Sequence, residues 1–135
     1  MRIVGGEFRG RNLATPKSND IRPTSDRTRE SLFNILSHSY PEALDDTRVL
    51  DCFAGTGAVG LEALSRGCRQ ALFVEMGVEG RGLLWENIES LGLHGRARIL
   101  RRGGRGGTSQ QGIDHASRRP HACRRRVHRD LCDGH

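Results

Sequence analysis

Between Thr47 and Arg101 the apolar positions fall into five runs whose period alternates between that of a strand and that of a helix. Arg48-Val-Leu-Asp-Cys-Phe53 is a short run of strand character. A glycine-rich turn follows, and Val59, Leu61, Ala63 and Leu64 then mark a helix that stops at Gly67. Gln70-Ala-Leu-Phe-Val-Glu75 reads as a second strand. Leu84, Ile88 and Leu91 line one face of a helix at about 79–91, closed by Gly92, and Ala97 to Arg101 reads as a third strand. Strand, helix, strand, helix, strand is a βαβαβ half-sheet, and right-handed crossovers make its strands parallel. A doubly wound sheet adds a second half, and only 34 residues follow Arg101.

The flanks are patterned differently. Arg2-Ile-Val-Gly-Gly-Glu-Phe-Arg-Gly-Arg-Asn-Leu13 holds two short extended runs around Gly5-Gly6, which predicts a small hairpin with basic edges. Thr15 to Pro23 is polar and bracketed by prolines, hence a loop. Thr24 or Ser25 caps a helix expected at about 25–38, with Asp26 in its first turn and Leu32, Phe33, Ile35 and Leu36 at helical spacing. From Arg102 to His135 there is no aromatic residue, and the large aliphatics are Ile113, Val127 and Leu131. Such a segment cannot bury enough apolar surface to offset its ordering entropy, so disorder is expected. The chain thus divides into an extension over 1–45, a partial α/β domain over 46–101 and an Arg/Gly/His-rich tail over 102–135.

Composition alters this picture little, whereas charge adds to it. With 135 residues, 35% apolar and 28% charged, the chain has the composition of a soluble globular domain. Its net charge of +6 sits in residues 101–135, because residues 1–100 hold thirteen basic and thirteen acidic side chains. Within that balanced part, residues 1–29 carry +4 and residues 30–100 carry −4. A basic arm on an acidic body fits a polyanionic partner, since neutralised phosphates release counterions. Arg9, Arg11 and Lys17 lie on or just beyond the ribbon, and Arg27 and Arg29 continue the arm onto the helix. No run approaches the roughly 18–20 apolar residues of a membrane span and no signal-peptide core follows Met1, so a cytoplasmic protein is expected; its oligomeric state is open, with a monomer as the default. Cys52, Cys68, Cys123 and Cys132 are too sparse and irregular for a disulfide framework, and reduced thiols are expected.

The chemistry concentrates at one turn. Gly55-Thr-Gly-Ala-Val-Gly60 fits G-x-G-x-x-G between a strand and a helix, where the backbone can approach a ligand and the helix offers free amides. Taken alone the pattern also fits a nicotinamide dinucleotide. Asp51, at the carboxyl end of the first strand, repels a pyrophosphate but attracts the amino group of a methionine moiety, which favours S-adenosylmethionine. Glu75 ends the second strand, where a carboxylate can accept both ribose hydroxyls.

Three segments carry a family resemblance: Met1-Arg-Ile-Val-Gly-Gly-Glu-Phe-Arg-Gly-Arg11, Arg22-Pro-Thr-Ser-Asp-Arg-Thr-Arg-Glu-Ser-Leu-Phe-Asn-Ile-Leu36, and Val49-Leu-Asp-Cys-Phe-Ala-Gly-Thr-Gly-Ala-Val-Gly-Leu-Glu-Ala-Leu-Ser-Arg-Gly67. Over about residues 1–100 the chain resembles the bacterial 16S ribosomal RNA guanine-N2 methyltransferases of the RsmD type. The resemblance implies a Rossmann-like S-adenosylmethionine-dependent methyltransferase fold, here incomplete: the N-terminal βαβαβ half with a basic hairpin-plus-helix extension. It implies S-adenosylmethionine as methyl donor, held by Asp51, Phe53, Ala54, Gly55, Thr56, Gly57 and Glu75. It implies 16S rRNA or the assembling small subunit as partner, met by Arg9, Arg11, Arg22, Arg27 and Arg29, with the arm closing over the cofactor. A non-catalytic RNA-binding piece of such an enzyme is the alternative.

The chain also departs from that family. Met76-Gly77 follows Glu75 where an acidic residue is usual, and Gly80 and Gly82 occupy helix positions at about 1 kcal/mol each relative to alanine. The third strand meets Arg102-Gly103-Gly104 rather than the Asp-Ala pair whose carboxylate reads adenine. The family's Asp/Asn-Pro-Pro-Tyr/Phe motif, which aligns the target nitrogen, has no counterpart, the prolines being Pro16, Pro23, Pro41 and Pro120. No catalytic residue is assigned. A shifted reading frame or shortened gene would explain the abrupt change near residue 100. In the tail, His121, Cys123, His128 and Cys132 match no established zinc spacing, and no metal is expected.

Overall fold

The structure, a computed structural model, describes residues 1–101. Helix α1 spans Asp26–Ser39 and is followed by a short 3-10 turn, Pro41–Ala43. Then come β1 (Arg48–Asp51), α2 (Ala58–Ser65), β2 (Gln70–Val74), α3 (Val78–Ser90) and β3 (Ala97–Leu100). The expected tail lies outside the described residues.

The three strands form one parallel sheet in the order β1-β2-β3. Its register sets Val49, Ala71 and Ala97 in one row and Asp51, Phe73 and Ile99 in another. These rows face the core, where Ala71 and Phe73 are buried with Leu61 and Leu64 of α2 and Leu84 and Ile88 of α3. Each such fully buried large side chain contributes about 1.5–3 kcal/mol. The alternate rows carry Leu50, Leu72 and Arg98, then Val74 and Leu100. Leu50 and Leu100 remain 58% and 45% exposed, so among the described residues only one face of the sheet is covered.

Helix α1 starts one residue later than the pattern predicts and is capped as expected, the Ser25 hydroxyl accepting from Thr28 N at 3.1 Å. Its apolar face is thinner than the spacing suggests: Phe33 is buried, but Leu32 and Ile35 are exposed. Helix α2, Ala-Val-Gly-Leu-Glu-Ala-Leu-Ser, is apolar nearly all round and is buried accordingly. Gly60 is what lets it sit so close to the sheet, because a Cβ there would lie 2.3 Å from the Phe73 ring. Gly60→Ala is therefore expected to cost about 1–3 kcal/mol through overpacking. Urea denaturation checks this, and an unchanged midpoint would contradict the close approach.

The amino-terminal ribbon exists, but its turn differs from the one predicted. Ile3 N donates to Arg11 O and Leu13 N to Met1 O, both at 2.9 Å, so the turn spans the whole of 5–10. Gly5-Gly6 is not the hairpin turn. A Cβ on Gly6 would meet the Ser65 carbonyl, while Glu7 N donates to that carbonyl at 2.8 Å and Ser65 Oγ donates to Gly5 O at 2.6 Å. The glycines serve close packing on the end of α2. Ile3 and Leu13 are buried in the same cluster as the α2 and α3 side chains, so residues 1–45 share the core of residues 46–101.

A buried charge cluster ties these parts together. Glu62 of α2 accepts from Val4 N, Gly5 N, Arg29 Nη1 and Arg66 Nε. Arg29 of α1 also pairs with Asp26 and donates to the Arg2 and Thr24 carbonyls. Arg29 and Glu62 side chains are both fully buried.

Candidate cofactor site

The carboxyl ends of β1 and β2 deliver the site. Asp51 is the last residue of β1, and its side chain lies near the amides of Phe53 and Gly60, at the start of α2. Its Oδ2 is buried with no hydrogen-bond partner. Burial pushes the Asp51 carboxyl above its ordinary pKa, the Phe53 and Gly60 amides pull the other way, and the charge of Glu75 adds to the rise. A buried carboxylate oxygen without a partner is suited to a cation, and the ammonium of a methionine moiety would meet that need.

Beyond Asp51 the chain turns sharply. Ala54 N donates to Val74 O at 3.1 Å and Gly57 N to Ala54 O at 2.7 Å. Gly57 has φ +81°, and a Cβ there would lie 2.2 Å from Leu84 Cδ1, so only glycine fits. Glu75 lies just past β2, its Oε2 accepting from Gly55 N at 2.6 Å and its Oε1 from Gly77 N at 2.8 Å. Those amides hold the carboxylate at the turn and leave lone pairs for hydroxyl donors. Gly80, expected to be only a cost to its helix, has a reason: a Cβ there would lie 2.9 Å from Glu75 Cδ. Gly82 has open space around it, and nothing in the structure explains it.

A strap formed by residues 14–24 passes over the turn. Ile21, Arg22, Pro23 and Thr24 line a concavity whose other wall includes Asp51, Phe53 and Gly55. Asn87 of α3 pins both walls: its Oδ1 accepts from Ala14 N at 2.6 Å and its Nδ2 donates to Thr56 O at 2.9 Å. Glu79 accepts from Lys17 N, Ser18 N and the Ser18 hydroxyl. Neither anchor was expected from the sequence, although Asn87 was visible as a polar residue on the Leu84–Ile88–Leu91 face of α3.

The Ser18 hydroxyl, its amide and Lys17 hold the Glu79 carboxyl below its ordinary pKa. The sign follows: the strap's attachment to α3 is intact above the ordinary glutamate value of 4.5 and is lost as pH falls through the lowered value. Hydrogen exchange at the Lys17 and Ser18 amides, taken relative to the intrinsic rate at each pH, should accelerate only at that acid end. In Glu79→Gln it should be faster at neutral pH, and equal rates in the two proteins would contradict the anchor.

The expected RNA-contacting arginines separate. Arg9, Arg22 and Arg27 are exposed. Arg11 is exposed but donates to Ser90 O at 2.7 Å, which ties the ribbon to the end of α3. Arg29 is a correction: fully buried in the Glu62 cluster, it cannot reach a phosphate. Phe53 is 94% exposed at the rim of the concavity. A second concavity, lined by Arg48, Gln70, His94 and Arg98, lies at the amino ends of the strands and contains none of the cofactor residues. Among the described residues no group of side chains could hold a metal ion, and no helix is long and apolar enough to cross a membrane. The four tail residues considered as zinc ligands lie outside the described residues.

Comparison with known proteins places this geometry. The family model described as Conserved hypothetical protein 95 matches residues 1–117, further along the chain than the likeness read from sequence. The chain is 43% identical over 115 residues to ribosomal RNA small subunit methyltransferase D of Escherichia coli K12, covering 85% of this chain and 56% of that protein. It is 38% identical over 91 residues to the protein of the same name from Haemophilus influenzae, covering 67% and 45%. A solved structure, a hypothetical protein from Thermus thermophilus, is 44% identical with TM-score 0.63, over 75% of this chain and 54% of that one. The chain spans about half the length of these relatives. It belongs to the Conserved hypothetical protein 95 family, and its described residues form the N-terminal half of a Rossmann-like S-adenosylmethionine-dependent methyltransferase fold.

Proposed function

We propose that the chain binds S-adenosylmethionine at the Asp51–Gly57 turn and belongs to an enzyme that methylates a guanine N2 of 16S rRNA. The observation that carries this reading is the buried, unpartnered Asp51 Oδ2 at the start of a glycine turn whose other carboxylate, Glu75, is held by two amides. In this role Asp51 takes the ammonium of the cofactor, Glu75 accepts the ribose hydroxyls, and the turn lets the nucleoside approach the backbone. The bound cofactor supplies an electrophilic methyl group on sulfonium. Residues 1–45 act as the extension that covers the cofactor and meets RNA, with Arg9 and Arg27 as exposed phosphate contacts. A ribosomal substrate places the protein in the cytoplasm with the assembling small subunit as partner.

The relatives named for rRNA methylation support the substrate class. Their names do not reach the guanine amino group, which is tested by mapping methyl transfer on unmethylated small-subunit rRNA. Transfer to another atom or base would overturn that part.

A second reading is a non-catalytic RNA-binding piece of such an enzyme. The basic balance of residues 1–29, with Arg9 and Arg27 exposed, favours it. Salt-dependent RNA binding without methyl transfer would select it.

A further inference from the structure

The concavity over the cofactor turn is lined by two charged residues, one of each sign. Asp51 comes from the end of β1 and Arg22 from the strap opposite, and the remaining lining residues are uncharged. The two are not paired with each other, and Arg22 is in no ion pair among the described residues. Asp51 Oδ2 has no partner either.

The chain on either side of Arg22 is anchored. Arg29 Nε donates to Thr24 O at 3.3 Å on one side. Glu79 holds Ser18 on the other, and Ile21 Cγ2 lies 3.4 Å from where a Gly55 Cβ would stand. An unpaired acid and an unpaired base that line one concavity suit a small zwitterion, which carries an ammonium and a carboxylate on one carbon. Arginine, with its planar fork of donors, matches a carboxylate in two parallel bonds.

We infer that Arg22 receives the α-carboxylate of the methionine part of the cofactor while Asp51 receives its ammonium, so that the site selects an intact amino-acid tail. This moves Arg22 from RNA contact to cofactor specificity, and it rests on the S-adenosylmethionine reading above.

The test is calorimetry on the full chain with three ligands. S-adenosylhomocysteine carries both charges, decarboxylated S-adenosylmethionine lacks the carboxylate, and methylthioadenosine lacks the whole tail. Arg22→Met is expected to weaken S-adenosylhomocysteine about tenfold or more while leaving the decarboxylated ligand unchanged. Arg22→Lys should recover part of the loss, and Asp51→Asn should weaken both amine-bearing ligands. Arg22 is exposed, so the variant should melt with the parent, which separates a binding effect from unfolding.

Equal weakening of the first two ligands by Arg22→Met, or no weakening of either, overturns the assignment and leaves the cofactor site standing. So does a variant that loses only salt-dependent RNA binding. A parent chain that binds none of the three removes the cofactor reading itself, and this assignment with it.

Discussion

Glu62→Ala is expected to lower the free energy of unfolding by about 3–5 kcal/mol, because it breaks a buried ion pair from one side. Arg29 would keep Asp26 as its one acidic partner, and the Val4 and Gly5 amides would lose their acceptor. Against a typical domain stability of about 5–15 kcal/mol, that loss is a large fraction of the total. Glu62→Gln should be milder, since the amide oxygen can still accept from the ribbon.

The control is Arg69→Ala. Its pair with Asp46 spans 3.9 Å with both side chains more than half exposed, and such pairs contribute about 0–1 kcal/mol. Urea denaturation followed by circular dichroism compares the two. Similar midpoints for Glu62→Ala and Arg69→Ala would show that the buried cluster does not hold the ribbon, α1 and α2 together.

Asp51→Asn should have the opposite signature, with cofactor binding weakened about tenfold to a hundredfold and the fold retained or strengthened. The folded chain holds the Asp51 proton more tightly than the unfolded chain does. Its contribution to stability is therefore complete below the ordinary value of 3.8 and is lost as pH rises through the raised value. Cofactor affinity runs the other way. The ammonium requires the charged carboxylate, so affinity grows as pH rises through the same range, and binding there releases a proton. The asparagine variant should lose both dependences. Thermal denaturation without ligand and calorimetry with S-adenosylhomocysteine, each across that range, measure them separately. A variant that binds normally, or that merely unfolds, would contradict the role given to Asp51.

Much of this was legible in the sequence because it depends on local period and turn chemistry. Ser25 and Asp26 mark the start of α1, Gly67 and Gly92 close two helices, and β2 and β3 differ by a residue at their ends from the runs that predict them. The first strand stops at Asp51 rather than Phe53 because Ala54 N already turns back to Val74 O. Asp51 and Glu75 were found through their places at strand ends.

Long-range pairing decides what was missed. Arg29 reads as one more charge on a basic arm until Glu62, 33 residues away, is seen to bury it. Gly5-Gly6 has the composition of a hairpin turn, yet Ser65 determines its use. Asn87 and Glu79 hold a strap more than 60 residues earlier in the chain, and no local pattern encodes that distance.

Binding of S-adenosylmethionine at the Asp51–Gly57 turn with Glu75 is tested most directly by amide NMR of the full chain. S-adenosylhomocysteine is expected to shift resonances of Gly55, Gly57, Gly77 and the Ile21–Thr24 strap, while a nicotinamide dinucleotide leaves them in place. Shifts produced there by the dinucleotide, or shifts from S-adenosylhomocysteine confined to the opposite end of the sheet around His94 to Arg98, would contradict it.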